Sequence, residues 1–195
     1  MIGDRVREII YFFEQFYRLQ GFQISIPPPY IRRGDEFVAL NDDMLLKGLY
    51  QRRALFYRPP SHEVPFDEMM KSLYGPRGWV IDTDDKRRLE TTWEHADTGY
   101  WFWVDMTYSP RGMKKESEIH REEAMTLMSI EEYLIVFSAL IGSVPQADDE
   151  TFSWLPIPIW LRTQSSGRHL AASNGYRFMV DDNRDAYARP AYRLV

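Results

Sequence analysis

No cysteine occurs anywhere in the 195 residues. That one absence excludes disulfides, thiolate metal sites, thiol nucleophiles and cysteine redox switches. A chain of this length buries about 70% of its unfolded surface, enough for a core without such staples. No apolar run approaches the roughly 18 residues that span a bilayer. The opening Met1-Ile2-Gly3-Asp4-Arg5 runs straight into an amphipathic pattern, without the charged-then-apolar order of a signal peptide. A soluble protein with a cytoplasmic location is therefore the default expectation. A basic excess is missing as well. The formal charge is −5, and the basic doublets Arg32-Arg33, Arg52-Arg53 and Lys114-Lys115 each lie near acidic residues. Solvated helix faces explain them, and no nucleic-acid partner is expected.

Complete catalytic motifs are lacking too. There is no G-x-S-x-G elbow, no P-loop and no G-x-G-x-x-G. His120-Arg121-Glu122 matches half of a zinc deaminase signature, whose other half needs two cysteines. His62, His95, His120 and His169 stand at no helix-ligand spacing. Asp181-x-Asn183-x-Asp185 supplies the first three ligand positions of a calcium loop. Ala186 and Tyr192 then occupy the places where an EF-hand needs glycine and glutamate. No metal and no cofactor are expected. Asp82, Asp84 and Asp85 follow a strand-like segment and are the best acids for an alternative reading, a carboxylate- or metal-dependent enzyme. Capping of the next helix is the preferred reading of them.

What is present is patterning. Asp4 is placed to cap a helix to about Gln20, with Val6, Ile9, Ile10, Phe13, Phe16 and Tyr17 on one apolar face and Gly21 as its stop. Ile24–Ile26 reads as a short strand ended by three prolines, and Glu36–Leu40 as another. Asn41 caps a helix expected from Asp42 to about Phe56. Residues 57–78 read as loop around a short helix near Phe66–Leu73, and Trp79–Ile81 as a strand. Gly99–Asp105 holds Tyr-Trp-Phe-Trp-Val, apolar on both faces, the mark of a central covered strand. Lys114–Met128 reads as a charged helix. Ser129 and Glu132 form a capping box for a helix to Gly142, with Ile130, Leu134, Phe137 and Ile141 on one face. Pro156 and Pro158 remove two amides from one side of Trp154–Trp160, which makes that stretch an edge strand or an extended segment bridging to one and offers a surface for assembly with other chains. Arg168–Ala172, Tyr176–Val180 and Ala188–Leu194 read as closing strands.

These elements make a single α+β domain over residues 1–195, with amphipathic helices on a mostly antiparallel sheet. Residues 1–150 read as a helix-rich scaffold, and 151–195 as a strand- and turn-rich segment that presents a ligand surface. Aromatic residues make up 15% of the chain, including six tryptophans. Most belong in the core, with Tyr176 and Tyr187, beside polar turns, expected at the surface.

The order of the N-terminal helix, Gly78-Trp79-Val80-Ile81-Asp82-Thr83-Asp84-Asp85, Gly99–Val104, Met125–Met128 leading into Glu132-Tyr133-Leu134, and the closing Ala188-Arg189-Pro190-Ala191-Tyr192-Arg193-Leu194 resembles a group of proteins of undetermined function from candidate-phylum bacteria with reduced genomes. The closing segment is similar to the end of C-type-lectin-fold domains. These include formylglycine-generating-enzyme-like modules and the variable proteins of diversity-generating retroelements. The chain departs from them in lacking disulfides and in having Ala188 where glycine is often seen. The resemblance implies a lectin-type C-terminal part whose diversified stretch matches Asn174, Gly175, Tyr176, Asp181, Asp182, Asn183, Asp185 and Tyr187, and the expected ligand-binding residues are Asn174, Tyr176, Asp181, Asp182, Asn183, Arg184, Asp185 and Tyr187. The expected function is a non-enzymatic binding protein that uses those residues against a protein or small-molecule ligand. Its oligomeric state is left open.

Overall fold

The computed structural model describes residues 2–65, 68, 79–81, 98–106, 125–139, 152–153, 159–163, 169–172, 186–187 and 190–194. Its elements run α1 (Asp4–Leu19), β1 (Tyr30–Arg33), β2 (Glu36–Ala39), α2 (Asp42–Tyr50), β3 (Arg53–Arg58), β4 (Trp79–Ile81) and β5 (Tyr100–Asp105). They continue with β6 (Met125–Leu127), α3 (Ile130–Ala139), β7 (Phe152–Ser153), β8 (Ile159–Thr163), β9 (His169–Ala172), β10 (Ala186–Tyr187) and β11 (Pro190–Arg193). Helices combined with largely antiparallel sheets place the chain in the α+β class.

The apolar spacing of α1 buries Val6, Phe13, Phe16 and Tyr17, with Ile9 and Ile10 half-buried against the core. Its start differs from expectation. Gly3, not Asp4, is the N-cap and supplies no side-chain bond. The Val6 amide instead donates at 3.2 Å to Oδ1 of Asp42, the first residue of α2. One helix thus borrows an acid from another to satisfy its N-terminus. At the far end Gly21 takes φ 91°. The Gly21 amide donates to the Arg18 carbonyl and the Phe22 amide to the Tyr17 carbonyl, both at 3.0 Å. This is a Schellman stop.

Ile24–Ile26 is not a strand. Ile26 is buried and its amide lies 3.5 Å from Glu14 Oε1, while the three prolines that follow cannot donate to a ladder. The strands form one step later. β1 and β2 pair antiparallel across Gly34-Asp35, with Gly34 at φ 61° in the first turn position.

Asn41 Oδ1 accepts from the Met44 amide at 3.0 Å, as expected of a cap. The helix then ends at Tyr50 rather than near Phe56. Arg52 turns the chain at φ 58°, and Arg53–Arg58 becomes β3. A short apolar run such as Ala54-Leu55-Phe56-Tyr57 suits either state. Six cross-strand pairs with β5, from Arg53↔Asp105 to Arg58↔Tyr100, decide it.

The central sheet has the order β3-β5-β11-β6, antiparallel throughout. β5 is covered on both faces, with Trp101, Phe102, Trp103 and Val104 all buried. Gly48 of α2 lies against the Trp103 ring, so close that a Cβ there would come within 2.5 Å of it. Phe13 of α1 packs edge-on against both Phe56 and Trp101, which strand alternation puts on opposite faces, so α1 lies at the sheet's rim. There the Tyr17 hydroxyl donates at 2.7 Å to the Tyr57 carbonyl of edge strand β3.

Met125–Leu127, expected at the end of a helix, is instead strand β6, paired with β11. The rest of that expected helix lies outside the described residues. The Ser129–Glu132 capping box forms as expected: the Glu132 amide donates to Ser129 Oγ at 3.2 Å and the Ser129 amide to Glu132 Oε2 at 2.7 Å.

A second antiparallel sheet has the order β4-β8-β9. β8 begins just past Pro158; among the described residues Ile159 and Trp160 pair with β9 alone, and β4 joins on the other side from Leu161. Residues 154–158 lie outside the described residues. β10 and β7 form a short parallel pair. Among the described residues no helix is long and apolar enough to cross a membrane.

Candidate ligand-binding cleft

A cleft of about 620 Å³ opens beside the central sheet. The extended segment after α1 contributes Pro27 and Pro28, and the β1–β2 hairpin contributes Tyr30 and Phe37. The approach to β5 adds Thr98, Gly99, Tyr100 and Trp101, and the end of β11 adds Arg193 and Leu194. The volume lies within the roughly 300–1,000 Å³ typical of small-molecule sites.

Each wall has a local cause. The Trp101 indole N–H donates at 2.8 Å to the Pro27 carbonyl, pinning the proline segment to β5. The Leu40 amide donates at 2.8 Å to the Pro29 carbonyl and anchors the hairpin's far end. In the hairpin register Tyr30 faces Ala39 and Phe37 faces Arg32, which puts Tyr30 and Phe37 diagonally on one face. Both rings are exposed, Phe37 by 59%. The Leu194 amide donates to the Trp101 carbonyl at 2.8 Å and holds the end of β11 against β5.

Beneath the cleft lies a charged layer. Glu132 is fully buried and accepts at Oε1 from the Tyr100 hydroxyl at 2.9 Å and from Arg193 Nε at 2.8 Å. Its Oε2 accepts from Arg193 Nη2 at 3.3 Å and from the Ser129 amide. Beside it Glu131 accepts from Arg58 Nη2 at 2.7 Å, with both side chains almost fully buried. The Arg58 and Arg193 guanidiniums lie 5.4 Å and 5.6 Å from the Tyr100 ring centre. Cation–π attraction therefore adds to the hydrogen bonds.

Burial, reinforced by the Glu132 carboxylate, pushes the Tyr100 hydroxyl well above the usual phenol range, against the pull of the two arginines. Tyr100 thus keeps its proton and donates it. The Glu131 carboxyl is raised by burial, which outweighs the lowering by Arg58. Tyr57 is pushed up to about 12 by burial and then by the charge of Glu63. Of these groups only Tyr100 lines the cleft, and its proton is committed to Glu132.

Of the residues expected from the sequence to bind ligand, Asn174, Tyr176, Asp181, Asp182, Asn183, Arg184 and Asp185 lie outside the described residues. Tyr187 lies in β10, its backbone opposite Ser153 of β7. Asp82, Asp84 and Asp85 lie outside them too, following directly on β4. Among the described residues no cluster of three acidic or histidine side chains is arranged to hold a metal. The cleft residues escaped the sequence reading. The available signal was the Gly34-Asp35 turn between two strand-prone runs, which would have exposed the hairpin. Comparison of the chain with protein-family models, curated proteins and solved structures found no match, so the functional reading rests on this geometry.

Proposed function

We propose that this is a non-enzymatic binding protein whose cleft takes a small, largely apolar ligand. The observation that carries the reading is the pair of exposed rings, Tyr30 and Phe37, set on one face of a hairpin over a pocket of about 620 Å³. Exposed aromatic area facing a concavity is characteristic of ligand sites. The committed state of Tyr100 and Glu132 supports binding over acid–base chemistry.

A second surface is kept at Asn174–Tyr187, with recognition carried on loops. It is favoured by flanks held in paired strands, β9 ending at Ala172 and β10 starting at Ala186. The lectin-type reading of the C-terminal part belongs to this second proposal. Its support is the closing sequence together with the short antiparallel strands β8, β9 and β11.

The test is a fragment screen by ligand-detected NMR on the wild type and on Tyr30→Ser and Phe37→Ser. Both variants are expected to keep their stability within about 0.5 kcal/mol, because the side chains are exposed. Ring-bearing fragments should lose binding in both. Hits that bind the variants unchanged would move the site away from the cleft.

A further inference from the structure

We infer that the outer edge of β1 takes up an extended peptide as a third strand of the hairpin, in the order acid, any residue, aromatic. The inference concerns the hairpin's backbone and does not depend on what fills the cleft. Antiparallel pairs alternate between those that exchange hydrogen bonds and those whose N–H and C=O groups point away from the partner strand. The Leu40 amide bonds the Pro29 carbonyl, so the next bonded pairs are Ile31↔Val38 and Arg33↔Glu36. Tyr30, Arg32, Phe37 and Ala39 therefore direct their backbone groups outwards. Among the described residues those groups have no protein hydrogen-bond partner. An isolated two-stranded hairpin is marginal, and a third strand stabilises it while satisfying these groups. Strand addition of this kind draws affinity from main-chain bonds and specificity from side chains at alternate positions.

The two edges are not alike. On β1 both outward-facing residues, Tyr30 and Arg32, are exposed, whereas on β2 Ala39 is half-buried. The side chains of the same four residues share one face of the hairpin, and Arg32 is the only charge among them. Arg33 and Glu36 stand opposite each other on the other face. Among the described residues Arg32 forms no ion pair, and its Nε donates to the Gly34 carbonyl at 3.0 Å, which holds the guanidinium beside the turn. In an antiparallel third strand, an acid opposite Arg32 makes an opposite-charge pair, and two residues later an aromatic stands opposite Tyr30. Charge thus selects the occupant: an acidic strand is matched and a basic one is repelled.

The experiment adds the peptide acetyl-Thr-Glu-Thr-Phe-Thr-amide to the full chain and follows backbone amides by NMR and hydrogen exchange. Exchange of the Tyr30 and Arg32 amides is expected to slow, with Phe37 and Ala39 unaffected. Replacing the peptide's glutamate with lysine should weaken binding about fivefold or more. N-methylation of the peptide's glutamate and phenylalanine nitrogens, which face β1, should weaken it about tenfold or more. N-methylation of the central threonine, which faces away, should leave binding unchanged. Arg32→Glu, at an exposed position, should reverse the preference between the glutamate and lysine peptides. Slowed exchange at Phe37 and Ala39 instead would overturn the assignment to β1. Tyr30 and Arg32 amides already slow without peptide, in a chain that sediments as a dimer, would overturn it in favour of a second copy on this edge. Equal binding of the lysine peptide, or no slowing at any of the four amides, would overturn the acidic-strand reading.

Discussion

Glu131 and Glu132 are neighbours at the start of α3, yet burial acts on them through different partners. Glu131 faces Arg58 alone among the cations named here, and its carboxyl is raised above the ordinary 4.5. The folded state therefore holds that proton more tightly than the unfolded chain does. Below about pH 4.5 both states are protonated and the contribution to stability is fully present. As pH rises from there through the raised folded value, the unfolded chain ionises first and stability is lost. Thermal melts between pH 4 and 8 should show the wild type losing stability relative to Glu131→Gln across that window. Removing the cation in Arg58→Met takes away the lowering influence and should carry the window to higher pH. A wild-type-minus-Gln difference that stays flat with pH would contradict this account. In the sequence, Ser129 and Glu132 were legible as a cap because a capping box is a local pattern. The burial of both acids was not, because acids at a helix start usually face water and their arginine partners lie 73 and 61 residues away.

Elements read well where their signals were local and poorly where a partner decided them. α1, β5 and the start of α2 follow from spacing, a doubly apolar run and an asparagine cap. β3 does not, because only its pairing with β5 separates it from a continuation of α2. The boundary is also set by contact: Gly48, in the last turn of α2, fits under the Trp103 ring that β5 presents. Alanine ordinarily favours a helix over glycine by about 1 kcal/mol. Here the added methyl meets a buried indole with no room to move, and overpacking of this kind costs about 1–3 kcal/mol. Gly48→Ala should therefore lower the melting temperature instead of raising it. A melting temperature at or above the wild type would show that Trp103 can give way.

At the scale of the molecule, the α+β class was legible from the mixture of helical spacing and strand-like runs, whereas the strand order was not. Nothing local to Pro190–Arg193 says that it belongs between β5 and β6, since its register with Trp103 and Met125 is a matter of distant pairing. The cleft inherits this, because β11 carries Arg193 and Leu194 to residues that precede them by long stretches of chain. A chain truncated after Arg189 should lose cooperative thermal unfolding altogether, as followed by circular dichroism. A sharp transition in that truncated chain would mean that β3 and β5 form a core without β11.

The placement of β11 has a further consequence for how the protein is made. During synthesis β5 and β6 leave the ribosome long before the strand that joins them, so each exposes an unpaired edge while it waits. Contacts between such distant segments also slow folding. The newborn chain thus passes through an interval in which the apolar Trp101–Val104 run lacks one of its two neighbouring strands. Its yield in a cell should depend on how fast the final strand arrives and on what shields that edge until then.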